Sequence, residues 1–121
     1  MEQALERARR KRSQMQIKIN SKQLDMTPTI EEYARTKAEK LNRFYDRIEQ
    51  IDVKIEKTMH GFTAEIITTV EHHDNIVSTS ENDNLYAAID SCVDKNVRQL
   101  TDLKSKLRDH KHNTPAGGQD R

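Results

Sequence analysis

The sequence predicts an α+β fold: a β-α-β-β-β-α two-layer sandwich, with a four-stranded sheet and two helices on one of its faces. Three observations predict it. Residues 51–80 hold three runs of alternating apolar and polar residues joined by short links, the pattern of an antiparallel meander. Two longer stretches, one opening at Pro28 and one running from Asn84 to about Arg108, repeat apolar residues at helical spacing. A further short alternating run, Met15 to Asn20, precedes the first of them. With 121 residues the chain is expected to form one domain around a single modest core.

Taken in order, residues 1–14 are read as a basic disordered arm. Arg7, Arg9, Arg10, Lys11 and Arg12 crowd together with almost no apolar face to fold against. Met15, Ile17 and Ile19 then point one way and Gln16, Lys18 and Asn20 the other, as in a half-buried strand. Thr27 is placed to cap a helix whose first position is Pro28, where the missing N–H costs nothing. Ile30, Tyr33, Ala34, Ala38, Leu41, Tyr45 and Ile48 hold one face of it. Lys40, Arg43 and Arg47 follow at i, i+3 and i+7, a cationic ridge beside that face. Ordinary i,i+4 pairing, for example Glu39 with Arg43, is the blander account of these charges.

Ile51, Val53 and Ile55 form the inward set of the second strand, with a turn at His60-Gly61. Phe62, Ala64, Ile66, Thr68 and Val70 form that of the third, with a second turn at His72–Asn75, and Ile76 to Ser80 makes the last strand. The opposite face carries Asp52, Glu56, Glu65 and Glu71 and is expected to be wet and acidic. Asn82, Asp83 or Asn84 caps the long helix. Leu85, Ala88, Ile89, Cys92, Val93, Leu100, Leu103 and Leu107 fall in one arc at about 100° per residue. Asn96 lies inside that arc and needs a polar partner. Lys95, Arg98 and Lys106 share one flank; Lys104 and Arg108 share the other. Residues 109–121, with Pro115 and two glycines, are read as a disordered tail, which leaves 15–108 as the folded domain.

Net charge is +1, but its distribution is uneven. Residues 1–14 carry +3, residues 15–45 carry +2, residues 46–94 carry −8 and residues 95–121 carry +4. A cationic edge on rigid helices suits a phosphate backbone, and the acidic middle makes the molecule an electrostatic dipole. No catalytic residues are expected, because nothing pairs a nucleophile with a base. The few glycines form no phosphate loop, and the His72-His73 and His110-x-His112 pairs lack further ligands at metal spacing, so neither cofactor nor metal is expected. Cys92, the single cysteine, is read as a buried, unreactive thiol. The first residues lack an apolar signal segment and no run is long enough to span a bilayer, which points to a soluble protein of a reducing compartment. Tyr33, Tyr45 and Phe62 are in phase with the core, so any RNA contact is expected through phosphates rather than base stacking.

Three stretches together carry a resemblance: SKQLDMTPTIEEYARTKAEKL at the first helix, EKTMHGFTAEI at the hairpin, and DNLYAAIDSCVDKNVRQL at the second helix. Over roughly Met15 to Arg108 the chain resembles the ribosome hibernation-promoting factors, the ribosome-associated translation inhibitors of bacteria and plastids, in a short form. The resemblance implies a fold similar to double-stranded-RNA-binding domains. It implies binding to the small ribosomal subunit, in the cleft for messenger RNA and transfer-RNA anticodon arms. Translation would be inhibited there and idle ribosomes preserved in stationary phase or stress. It also implies a bacterial cytoplasmic protein, monomeric off the ribosome, with no small-molecule substrate and no membrane partner. Carried over, the RNA-binding residues are Lys37, Lys40 and Arg43 on the first helix and Lys95 and Arg98 on the second. The helical wheel adds Arg47 and Lys106, and the SKQ match adds Lys22. Two other readings stay open. One is a general binder of free duplex RNA. The other is a protein-interaction module that meets a transcription or ribosomal protein through the acidic sheet face.

Overall fold

The computed structural model describes residues 15–112, with side chains as far as Arg108. The arm expected at 1–14 and residues 113–121 of the expected tail lie outside the described residues. The elements are β1 (Gln16–Lys22), α1 (Pro28–Glu39), a 3-10 turn (Lys40–Arg43), β2 (Ile48–Thr58), β3 (Gly61–Val70), β4 (Ile76–Asn82) and α2 (Leu85–His112). The strands lie in the order β1-β2-β3-β4. β2, β3 and β4 form the antiparallel meander, and β1 pairs in parallel with β2 across the α1 crossover. The sheet is therefore mixed, and the α+β class and element order read from the sequence are those observed.

Local chemistry sets the element ends. Thr27 Oγ1 accepts from the Ile30 amide at 3.2 Å, and Pro28 takes the first helical position. Asn84 is the cap of α2: its Oδ1 accepts from the Ala87 amide at 3.0 Å, while Asn82 Oδ1 accepts from the Asn84 amide at 2.9 Å. Thr58 pairs with Gly61 around the two-residue turn of Met59 and His60. Gly61 is needed there for space, since a Cβ would stand 2.6 Å from the Asn82 carbonyl oxygen.

The helices cover one face of the sheet. Ile51, Val53 and Ile55 of β2 and Ala64, Ile66 and Val70 of β3 are buried beneath Ala34, Ala38 and Leu41 on one side and Ala88, Ile89, Cys92 and Leu100 on the other. Each buried Ile, Val or Leu among them contributes about 1.5–3 kcal/mol of burial. Asn96 finds its partner inside this layer. It is fully buried, accepts from Thr68 Oγ1 at 2.8 Å and donates to Ser78 Oγ at 2.9 Å. Ser78 Oγ in turn donates to the Cys92 carbonyl at 2.9 Å. Cys92 is buried as expected, and burial pushes its thiol pKa up, against a smaller lowering by Ser78.

Two boundaries differ from the sequence reading. The first helix is shorter than its apolar pattern suggests. α1 stops at Glu39, one 3-10 turn follows, and Ile48 opens β2 instead of closing a helix. Leu41, Tyr45 and Ile48 are all buried because turn and strand feed the same core, so the apolar phase runs on after the helix has ended. The second helix is longer and continues to His112, so residues 109–112 are helical rather than tail. At 28 residues it spans about 42 Å. Among its described side chains Leu100 is the last buried one and Leu107 is 38% exposed, so residues 104–108 stand clear of the sheet.

Candidate RNA-binding surface

The candidate cations do not form one ridge. Lys37 and Lys40, one helical turn apart, meet α2 in the groove between the helices, where they line a pocket with Asp90, Val93 and Asp94. Lys37 Nζ stands 3.6 Å from Asp90 Oδ1 and 5.4 Å from the centre of the Tyr33 ring. Tyr33 Oη donates to the same carboxylate oxygen at 2.7 Å. The Tyr86 ring packs edge-on against Tyr33 at 4.8 Å. The hydrogen bond to Asp90, with desolvation and the carboxylate charge behind it, pushes the Tyr33 pKa up to about 12.

Lys95 lies on the opposite flank of α2. Its ammonium donates to the Thr79 carbonyl of β4 at 2.9 Å, and Gln99 Nε2, one turn on, donates to the Val77 carbonyl at 2.8 Å. These side chains cap the outer edge of β4, which otherwise presents unpaired carbonyls. Arg35 of α1 does the same at the other edge. Its guanidinium donates to the Ile17 carbonyl of β1 at 3.3 Å while pairing with Glu31 at 3.3 Å. Lys106 follows Lys95 at i+11 and so returns to the β4 flank, whereas Arg98 is exposed on the outer side of α2. Lys95 keeps two of its three N–H donors for another acceptor.

Arg43 closes the 3-10 turn and is exposed. Arg47 does not extend the α1 ridge: it lies in the turn before β2, where its guanidinium meets Glu71 Oε1 at 3.3 Å. The i, i+3, i+7 argument fails for it because no helix reaches that far. The anticipated Glu39–Arg43 pair is replaced by Arg35–Glu31 as the i,i+4 pair on α1. Lys22 ends β1 on the uncovered face of the sheet, in a pocket with Lys54, Glu56 and Glu65.

That uncovered face is less acidic than expected. Asp52, Glu56 and Glu65 are on it, but the strand register sets Lys18 opposite Asp52, Lys22 opposite Glu56 and Lys54 opposite Glu65. Glu71 is drawn to Arg47 at the β3–β4 turn. Ile67 and the 45% exposed Val77 pair at the centre of the β3–β4 half.

The wheel missed Tyr33, Asp90, Gln99 and Arg35 as parts of the surface. The helical phase of Tyr33 turns its ring towards the core, while its hydroxyl reaches out to Asp90. The other three give no separate sequence signal, since an acid, an amide or an arginine on a wet helix is ordinary. Among the described residues no three His, Cys, Asp or Glu side chains converge, and no helix is long and apolar enough to cross a membrane.

Comparison with known proteins gives consistent matches. The sequence pattern described as "Sigma 54 modulation protein / S30EA ribosomal protein" matches residues 17–108. The ribosome hibernation promoting factor of Escherichia coli (strain K12) is 37% identical over 98 residues, covering 79% of this chain and all of that protein. The ribosome hibernation promoting factor of Azotobacter vinelandii is 37% identical over 101 residues, covering 76% of this chain and 85% of that protein. Among solved structures, the Thermus thermophilus Protein Y N-terminal domain superposes with a TM-score of 0.64 at 26% identity, over 71% of this chain and 94% of that one. A ribosomal subunit interface protein from Coxiella burnetii superposes with a TM-score of 0.70 over 75% of this chain and 99% of that one, and at 20% identity shows the fold alone.

Proposed function

The chain belongs to the Sigma 54 modulation protein / S30EA ribosomal protein family, and on that premise we propose that it is a ribosome hibernation factor. It binds the small ribosomal subunit in the cleft for messenger RNA and transfer-RNA anticodon arms. By occupying that cleft it inhibits translation and preserves idle ribosomes in stationary phase or stress. The action is binding and exclusion, without a catalysed step.

The observation that carries this reading is the placement of the cations. Lys40, Arg43, Lys95, Arg98 and Lys106 are all exposed, and all stand on the helical layer of a sheet whose opposite face has its acids interleaved with lysines. A rigid helical layer can hold several ammonium and guanidinium groups at fixed spacing, and each phosphate it neutralises releases counterions. Lys37 and Lys40 serve from the inter-helix groove, Arg43 from the 3-10 turn, Lys95 and Lys106 from the β4 flank of α2, and Arg98 from its outer side. Arg47 and Lys22 contribute from the turn before β2 and from the end of β1. Off the ribosome the chain is a monomer.

Chemical probing of ribosomal RNA tests the site. With the protein bound, nucleotides lining the messenger and anticodon-arm cleft of the small subunit become protected. Protection confined to the outer surface of either subunit would overturn the reading. Equal binding to free duplex RNA would replace it with general duplex recognition.

A further inference from the structure

The groove between α1 and α2 is unlike the rest of the cationic layer. There Lys37 and Lys40 face Asp90 and Asp94, which lie one turn apart on α2. Two positive groups thus meet two negative ones, and the pocket carries no net charge. Asp90 is held from two sides: the Tyr33 hydroxyl donates to its Oδ1 at 2.7 Å, and the Lys37 ammonium stands 3.6 Å from the same atom. Tyr86 packs against Tyr33 and fixes the ring that makes the first of these contacts. A surface built only to attract phosphate would not place carboxylates here. A phosphate reaching Lys37 comes well within the screening distance of about 8 Å from the Asp90 carboxylate, so it meets attraction and repulsion together.

We propose that Asp90 is a positioning and selectivity residue of the RNA-binding surface: it holds the Lys37 ammonium in the inter-helix groove and, with Asp94, repels polyanions that lack the shape to reach past the carboxylates. The inference rests on the RNA-binding reading above. A flexible polyanion gains little from Lys37 and Lys40 because it cannot avoid the acids. A folded RNA with phosphates at fixed positions can approach the lysines along the groove and keep its distance from Asp90. The carboxylates thereby lower non-specific affinity more than specific affinity, which is how a protein discriminates between partners of the same charge.

The test compares binding to heparin, a polyanion without ribosomal shape, and to vacant ribosomes, for the whole protein and its variants. Asp90→Asn keeps the size of the side chain and an acceptor for Tyr33 while removing the charge. It is expected to raise heparin affinity about two- to fivefold, the effect of one exposed charge pair. Ribosome affinity is expected to rise less, so the ratio of the two falls. Asp90→Glu restores the ratio towards wild type. Asp94→Asn, which leaves the Tyr33 contact untouched, shifts heparin affinity in the same direction by a smaller factor, whereas Lys37→Gln, at a lysine from which heparin gains little, leaves it nearly unchanged. Heparin affinity unchanged or reduced in both Asn variants with ribosome binding intact, or heparin and ribosome affinities rising by the same factor in Asp90→Asn, would overturn the role of Asp90 alone. Wild-type protein that fails to bind ribosomes would instead overturn the proposed function, and the selectivity role with it.

Discussion

Thr68 Oγ1 of β3 donates to Asn96 Oδ1 of α2 at 2.8 Å, with both residues fully buried. The amide nitrogen of Asn96 donates onward to Ser78 Oγ of β4, so one side chain ties the helix to two strands. In a core of low polarity such a network holds the helix in one register, because sliding α2 by a turn would strand every member without a partner. Asn96→Ala should therefore destabilise the fold by about 2–3 kcal/mol, from lost hydrogen bonds and a cavity together. In a double-mutant cycle with Thr68→Val, the pair should couple by about 1 kcal/mol. Chemical denaturation measures both quantities.

The phenol of Tyr33 titrates late because its neutral form donates to Asp90. Its pKa of about 12 in the folded protein lies above its usual value of about 10. A raised pKa stabilises the fold fully below pH 10, and that contribution is lost as pH climbs through 12. Tyr33→Phe should accordingly lose less stability than wild type across that window. Asp90→Asn should bring the late tyrosine titration, followed by phenolate absorbance, back towards the usual range.

Gln99 and Lys95 shield the β4 edge through its backbone carbonyls. Gln99→Ala removes one exposed hydrogen bond and should cost no more than about 1 kcal/mol. Its larger effect should be on association, since an uncapped edge is a template for a further strand. Sedimentation velocity at rising concentration should show self-association in Gln99→Ala combined with Lys95→Ala and none in wild type. Concentration-independent sedimentation of the double variant would show that the caps do not guard the edge.

Arg47 and Arg43 are four residues apart yet differ in setting. Arg47 pairs with Glu71 and is 63% exposed in the turn before β2, while Arg43 closes the 3-10 turn of the helical layer. An exposed ion pair contributes between zero and about 1 kcal/mol, so Arg47→Ala should barely move stability. In ribosome-binding titrations Arg43→Ala should weaken affinity more than Arg47→Ala. The reverse order would place the contact at the β3–β4 turn.

Much of the architecture was legible because its determinants are local. Strand alternation marks Ile51, Val53 and Ile55 as inward, and the Thr27-Pro28 and Asn84 caps lie beside the helices they start. What was hidden is non-local or carries no side-chain signal. The end of α1 was obscured because Tyr45 and Ile48 continue its apolar phase from a turn and a strand. The partners of Asn96 lie 28 and 18 positions away, and those of Tyr33 and Lys95 lie 57 and 16 away. Lys95 is held by a backbone carbonyl, a group every residue carries. The candidate cations were individually legible; their division between the two flanks of α2 needed the sheet, because a helical wheel does not say which flank meets α1 and which meets β4.

The most direct test of the central claim is sedimentation with vacant ribosomes through sucrose, at low and high salt. Wild type is compared with a variant combining Lys40→Glu, Arg43→Glu, Lys95→Gln and Arg98→Glu. Glutamine at 95 keeps a donor for the Thr79 carbonyl, so the β4 edge stays capped while the charge is lost. Wild type is expected to travel with the small subunit at low salt and to be released as salt rises, with log affinity falling linearly in log salt. The folded variant should remain at the top of the gradient at both salts. Co-sedimentation of the variant at wild-type levels, or wild-type binding indifferent to salt, would contradict the claim that the helical cations bind ribosomal RNA phosphates.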